Sequence, residues 1–471
     1  MAEIRAGALA EVLVERVVPG GEGLGRIGGV VTLVSGALPG DRVRLRVTEA
    51  SPRLVRGSLE AVVAPGEARR PDAEMCPRAR DASCGGCDWP AARLDSHREL
   101  KTSLVLDAFR RIAGLRPEDL PEPGWRGSAR NYRLRNRLHL DRDGRLGFFA
   151  PRSNIVSNLE VCEIVSRSLL ARLPAIRAHL SRLGSLEGEL STLEDREGKT
   201  LLGELRLGEG QGLQVSSSVK EGGRGPFDGL RVVDAGGRVL LSDGPTSLSI
   251  VAGGASFEVS VSSFFQGNLF LLDSFLEEIR TALRAEGEDS ALRAVLRREE
   301  GNGKVFRAID LYAGVGFLTR PLLELALEIG GDAGDAVEVT AVEISPSASL
   351  LLSKNLSSWS SSGLPIARSV QSTAESFLSS LPSSHSQKIP SSPDLVVAAP
   401  PRAGLSPAAR AALLRLAPRR LLMVSCDPPT LARDLAALKS RYSVERLTLL
   451  DLLPQTHHVE TIALLARRKA G

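Results

Sequence analysis

From Asn268 onward the chain alternates strand-like and helix-like segments, and no other feature limits its fold so strongly. Residues 269–283 repeat apolar side chains at helical spacing, residues 305–311 form a short apolar run, and residues 317–328 read as a second helix. Residues 337–343 make the next strand, 347–356 the next helix, and 394–399 a third strand. Such alternation predicts a doubly wound parallel sheet. Residues 357–393 are serine-rich with only short apolar patches, and read as a surface loop or mobile insertion.

The first 268 residues have a different texture. Short alternating runs between residues 9 and 64, punctuated by Pro19-Gly20-Gly21, Gly28-Gly29 and Pro39-Gly40-Asp41, describe a small antiparallel barrel. The stretch Gly20-Gly21-Glu22-Gly23-Leu24-Gly25-Arg26 reads as too glycine-rich for a strand, and residues 65–71 as a linker. From Trp125 to Phe264 the text is again strand-like. Helical patches fall at residues 96–114 and 165–183, making the middle region mixed α+β. An apolar fraction of 42% over 471 residues suits two to four packed domains. No run approaches about 18 apolar residues, so neither export nor membrane spanning is supported, no membrane partner is expected, and the cytoplasm is the expected compartment.

The net charge of +4 is small, but residues 126–152 hold eight arginines against two aspartates. A local excess of six positive charges suits phosphate contact, whereas the plain alternative is a solvated strand face. Five cysteines in a reducing compartment argue for metal or catalysis over disulfides. Cys76, Cys84 and Cys87 lie in Cys-x7-Cys-Gly-Gly-Cys-Asp-Trp, and Cys162 follows far downstream. Four thiolates match an iron–sulfur cubane or a zinc site; a triplet plus a distant fourth leans toward iron–sulfur.

The fifth, Cys426, sits in Val424-Ser425-Cys426-Asp427-Pro428-Pro429-Thr430, between an apolar strand and a proline-stopped turn. A thiol at a helix N-terminus would be held as thiolate, the nucleophilic form; the alternative is a small core residue. Upstream, Asp310-Leu311-Tyr312-Ala313-Gly314-Val315-Gly316 joins a strand to a helix, with Glu343 ending the next strand. An acid there can accept both ribose hydroxyls of a nucleotide cofactor. Thr319 occupies the third glycine position of the dinucleotide fingerprint, which favours S-adenosylmethionine over a nicotinamide dinucleotide.

These segments resemble the RNA 5-methyluridine (uracil-C5) methyltransferases, especially the bacterial 23S ribosomal RNA branch with a TRAM domain and an iron–sulfur cluster. The likeness is carried by the glycine-rich opening, Ser263-Phe264-Phe265-Gln266-Gly267-Asn268, the loop 310–316, Pro400-Pro401-Arg402-Ala403-Gly404-Leu405, Val424-Ser425-Cys426 and Gln455-Thr456-His457-His458-Val459-Glu460-Thr461. It implies an oligonucleotide-binding-like TRAM barrel over 1–65 and a central domain over 70–264 holding the cysteine loop and basic strands. A Rossmann-like methyltransferase domain over 265–471, with its insertion at 357–393, completes the chain. It further implies Cys426 as nucleophile and Glu460 as base. Gln266, Tyr312, Gly314, Gly316 and Glu343 would hold S-adenosylmethionine, and Cys76, Cys84, Cys87 and Cys162 would hold a [4Fe-4S] cluster. The implied partner is RNA, ribosomal in preference to transfer RNA, bound by a monomer.

Three positions depart from the family pattern. Ala399 replaces the aspartate usual before Pro-Pro-Arg, Phe317 stands where a polar cofactor contact is common, and Asp427 stands where asparagine is frequent. They motivate an alternative reading, an iron–sulfur RNA-binding or assembly protein with a degenerate methyltransferase fold. A radical methylthiotransferase, which also carries a TRAM domain, is disfavoured because its Cys-x3-Cys-x2-Cys triplet does not match the spacing here.

Overall fold

The computed structural model describes residues 5–211, 223–284, 305–333, 337–381 and 393–468. Its C-terminal half is built on an eight-stranded sheet. In spatial order the strands are Ala367–Gln371, Val337–Glu343, Phe306–Leu311, Leu395–Ala398, Arg420–Ser425, Glu460–Arg467, Tyr442–Leu450 and Gly124–Arg126. The first five run parallel, as the alternation predicts, and Glu460–Arg467 then pairs antiparallel with both of its neighbours. Both faces are covered. Leu395, Val397, Leu422 and Val424 enter one core, while Val396, Ala398, Leu421 and Met423 enter the other. That double burial is why these strands read as unbroken apolar runs.

The N-terminal strands Leu9–Val17, Gly23–Ile27, Val30–Ser35, Leu54–Ala64 and Arg42–Ala50 close into a barrel. It is not wholly antiparallel, because Val30–Ser35 and Leu54–Ala64 pair in parallel. The glycine-rich stretch also differs from its reading, since Gly23–Ile27 is a strand. A Cβ on Gly25 would lie 2.3 Å from the Leu13 carbonyl oxygen, and one on Gly23 would lie 2.7 Å from that of Ala37. The glycines are there because the barrel wall leaves no room for side chains. The segment read as a linker is anchored at its end: Arg69 grips the buried carboxylate of Asp41 at 2.8 Å, and Arg70 pairs with Glu163 at 2.8 Å.

Between barrel and C-terminal sheet lies a seven-stranded sheet backed by helix Arg167–Arg182, which buries Leu169, Leu173, Ile176 and Leu180 against it. A hairpin, Ser247–Ala252 with Ala255–Ser260, joins the core of the larger sheet instead. Its Phe257 packs on Phe265, Phe317 and Trp359 with ring centroids 5.3–5.7 Å apart. Phe317, read as standing at a polar cofactor contact, therefore belongs to an aromatic core.

The serine-rich stretch is more ordered than its composition suggests. Helix Pro346–Ser361 runs into it, Ala367–Gln371 supplies the edge strand, and Ala374–Ser380 is a helix capped by Thr373. Serines along the first helix bond to carbonyls one turn back, as Ser357 does to Ser353 and Ser361 to Ser357, so they tolerate helical backbone. Residues 382–392 lie outside the described residues. No described helix is long and apolar enough to cross a membrane.

Candidate functional site

At the carboxyl end of Phe306–Leu311 the backbone turns sharply. Tyr312, Gly314 and Gly316 have φ of 62°, 58° and 97°, and only the tyrosine carries side-chain strain there, typically about 1–3 kcal/mol. Glu343, at the end of the adjacent strand, braces the turn by accepting from the Gly314 N–H at 2.8 Å and the Ser345 N–H at 2.7 Å. Its two carboxylate oxygens retain lone pairs for a further donor. Below it, Asp310 is fully buried: one oxygen accepts from Thr319 at 2.6 Å, and the other has no protein partner. Burial pushes the Asp310 carboxyl up to about 7. Thr319, at the third glycine position, is thus the support of this acid, a role that sequence reading missed.

The segment 263–268 lies over this turn. Arg135 fixes it by donating to the carbonyls of Val261, at 2.7 Å, and Ser263. A Cβ added to Gly314 would lie 4.0 Å from the Phe264 carbonyl oxygen. Gln266 is half-buried. Asn268 donates to the Leu452 carbonyl at 2.9 Å, tying the segment to the connection before Glu460.

Cys426 follows strand Arg420–Ser425, whose Ser425 pairs with Thr461. Cys426 and Glu460 are the residues just beyond that pair, close enough for the Glu460 charge to act on the thiol. Asp427 caps helix Pro428–Leu438 by accepting from Thr430 N–H at 2.9 Å. The expectation that the helix end would hold a thiolate is corrected. Burial first, and the Glu460 charge second, push the Cys426 thiol up to about 11, with Arg402 opposing them. Desolvation here outweighs the helix dipole. Burial also pushes Glu460 up to about 7, into the range suited to a general base near neutrality.

The remaining motif residues surround this pair. Arg402 lies with Nη2 3.3 Å from His458 Nε2. Its loop is locked by Asp434, which accepts from the Leu405 N–H at 2.8 Å and from Arg410 at 2.8 Å. His457 Nδ1 bonds to Asp88, the residue after Cys87, at 2.7 Å. Asp88, His457 and His458 bring potential metal-ligating atoms within 4.8 Å of one another. Within this cluster Asp88 and His457 are hydrogen-bonded, while the His458 ring faces Arg402. Ala399 is half-buried and donates its N–H to the Leu311 carbonyl at 3.3 Å, so the missing carboxylate would have stood beside the 312–316 turn.

Cys76, Cys84, Cys87 and Cys162 line one pocket together with Phe148, Leu159 and Ile164. The two glycines of Cys-Gly-Gly-Cys permit close approach to the neighbouring hairpin. A Cβ on Gly85 would lie 3.0 Å from the Phe149 carbonyl oxygen, and one on Gly86 2.9 Å from the Phe148 ring. Burial, then the neighbouring thiols, push Cys87 far up. No three of the four sulfurs lie within 4.8 Å of one another. Tetrahedral zinc with Zn–S of about 2.3 Å requires sulfurs about 3.8 Å apart. Four thiols around one pocket are a donor set for an iron–sulfur cubane or for zinc.

Most of the arginine excess at residues 126–152 is engaged within the protein. Arg126 pairs with Glu278, Arg137 with Glu189, Arg142 with Glu187, and Arg145 with Asp141 and Asp143. Arg133 lies over the rings of Tyr132 and Phe148. The local charge count therefore overstates the free cationic surface. Exposed pairs such as those of Arg137 and Arg142 are weak enough to exchange onto phosphate.

Comparison with known families agrees with this layout. Residues 5–59 match the TRAM domain, and residues 392–468 match the tRNA (Uracil-5-)-methyltransferase family, the latter spanning Arg402, Cys426 and Glu460. The chain thus carries a TRAM domain at one end and a uracil-5-methyltransferase family domain at the other. An uncharacterized RNA methyltransferase of Thermosynechococcus vestitus is 29% identical, covering 98% of each chain. The 23S rRNA (uracil(1939)-C(5))-methyltransferase RlmD of Aeromonas hydrophila is 27% identical over 95% of this chain and 93% of that protein. In fold, the chain is similar to Pyrococcus abyssi tRNA (uracil-54, C5)-methyltransferase, solved in complex with S-adenosyl-L-homocysteine. That likeness has a TM-score of 0.67 at 18% identity and covers 97% of this chain and all of the other.

Proposed function

We propose that this protein is an S-adenosylmethionine-dependent methyltransferase acting on carbon 5 of a uridine in RNA, with 23S ribosomal RNA as the favoured substrate. The observation that carries the reading is the placement of Cys426 beside Glu460 at the carboxyl end of the same sheet that bears the Tyr312–Gly316 turn and Glu343. Gln266, Tyr312, Gly314, Gly316 and Glu343 would hold S-adenosylmethionine, which supplies an electrophilic methyl group.

The protein's residues then divide the chemistry. Carbon 5 of uracil is too weak a nucleophile unaided, so the Cys426 thiolate adds to carbon 6 and leaves an enolate with charge at carbon 5. Carbon 5 takes the methyl group. Glu460 removes the carbon 5 proton, the carbon 6–sulfur bond breaks, and the thiolate leaves. Arg402, whose charge pulls the thiol's pKa down, favours the thiolate. The target base must be unstacked to reach these groups, which suits an enzyme with RNA-binding modules. Cys76, Cys84, Cys87 and Cys162 would hold a [4Fe-4S] cluster in a structural capacity, since methyl transfer consumes no electron.

Ala399 favours the second reading, an RNA-binding protein without turnover. Retention of a facing thiol and carboxylate opposes it, because a binding module needs neither. The deciding experiment is anaerobic incubation with deuterated-methyl S-adenosylmethionine and unmodified bacterial RNA, with mass spectrometry of the nucleosides. Labelled 5-methyluridine that disappears in Cys426→Ala is the expected result; RNA binding without label would establish the non-catalytic reading.

A further inference from the structure

Residues 451–459 connect the two C-terminal strands and deliver Glu460 to the site, with Leu450 and Glu460 paired across its base. One buried ammonium braces this connection. Lys101, fully buried on helix His97–Ala108, donates to Asp451 Oδ1 at 2.5 Å, to the Leu453 carbonyl at 3.1 Å and to the His458 carbonyl at 2.6 Å. All three ammonium hydrogens are thereby used. The second Asp451 oxygen accepts from His97 Nδ1 at 2.8 Å, so the anchoring carboxylate is itself held.

A buried ion pair is a poor source of net stability, because apolar replacements of similar volume are often neutral or better. What the ammonium does here is geometric. Its three acceptors lie at the first, third and eighth residues of the connection, and the last is two residues before Glu460. His458 is also the residue whose ring faces Arg402, the cation that favours the Cys426 thiolate.

We propose that Lys101 is a positioning residue for methyl transfer, fixing the connection so that the Glu460 carboxylate meets the carbon 5 proton. The inference rests on the roles given above to Cys426 and Glu460. In the step concerned, the proton passes from carbon 5 to Glu460, its bonding pair forms the carbon 5–carbon 6 double bond, and the carbon 6–sulfur pair returns to Cys426. Addition and methylation precede that step. A displaced Glu460 therefore leaves the RNA attached to the protein as a methylated covalent complex.

The test uses the full chain with Lys101→Met, and with Lys101→Met/Asp451→Asn so that no carboxylate is stranded if the single variant folds poorly. Covalent protein–RNA complex on denaturing gels and released 5-methyluridine are measured together, with circular dichroism for the folded fraction. The expected result is complex that accumulates to at least the unaltered protein's level. Release of 5-methyluridine slows roughly ten- to hundredfold, as for a misplacement of about 1 Å, while KM for S-adenosylmethionine stays within about twofold. Complex and product falling together, in step with the folded fraction, would reduce Lys101 to a structural brace and overturn the proposal, as would unchanged rates. If the unaltered protein formed neither complex nor product, the reading of Cys426 and Glu460 would itself fail and take this proposal with it.

Discussion

Glu460 lies beside Cys426, just beyond the Ser425–Thr461 pair that ends the antiparallel ladder, and its charge helps to raise the pKa of the thiol. In their proposed roles of nucleophile and base, both must be deprotonated to act. With Glu460 near 7 and Cys426 near 11, the rate of methyl transfer should fall steeply below pH 7 and still be climbing above pH 8. A pH profile of kcat/KM for RNA checks this, and a flat profile from pH 6 to 9 would contradict it.

Replacing the base separates catalysis from stability. Glu460→Gln should lower product release by about a hundredfold or more, the usual scale for a positioned general base. Stability should move the other way. The folded carboxyl holds its proton up to about 7 against an ordinary value of 4.5, so the folded state binds more protons between those limits, and stability declines as pH rises through them. Glu460 is part-exposed, so only a share of the ceiling of ~3 kcal/mol is realised. Glu460→Gln should therefore raise the melting temperature at pH 8 and leave it unchanged at pH 4.

Much of this site was legible because its elements leave local signatures. The apolar runs 395–398 and 420–425 are buried on both faces, and the Gly314 and Gly316 turn needs left-handed backbone, so period and residue type announce them. Cys426 and Glu460 were legible as motif residues, although their adjacency depends on strand order. What escaped was of two kinds. Strand Gly23–Ile27 hid because its glycines answer to neighbouring carbonyls, which composition does not display. The supports Lys101, Asp88 and Asp434 hid because their partners are distant in sequence, as with the 350-residue separation of Lys101 and Asp451. Contacts of that range impose no period on the chain.

Ala399 offers a gain-of-function test. Its N–H is bound to the Leu311 carbonyl beside the 312–316 turn, which places a carboxylate introduced there at the edge of the proposed cofactor cradle. If the absent acceptor leaves a cofactor donor unpaired, restoring it is worth about 1–3 kcal/mol. Ala399→Asp should then lower KM for S-adenosylmethionine by roughly tenfold with little change in kcat. An unchanged KM would show that this position does not govern cofactor affinity.

The cysteine loop and the connection before Glu460 are joined directly, which would give a cluster held by the loop a consequence at the proposed site. After Cys87, Asp88 accepts from His457 and the Trp89 N–H donates to the Gln455 carbonyl at 2.9 Å. Gln455 has a φ of 66°, a strained value for a residue with a side chain, so neighbouring contacts must hold it. Anaerobically prepared protein should contain iron and acid-labile sulfide in equal amounts; zinc in their place would overturn the cluster assignment. Removing the metal by chelation should loosen residues 76–89 and, through Asp88 and Trp89, residues 451–460. Hydrogen exchange by mass spectrometry reads both segments without relying on activity, and Asp88→Asn should reproduce the second effect while the metal stays bound. Faster exchange confined to the cysteine loop after chelation would show that the two segments move independently.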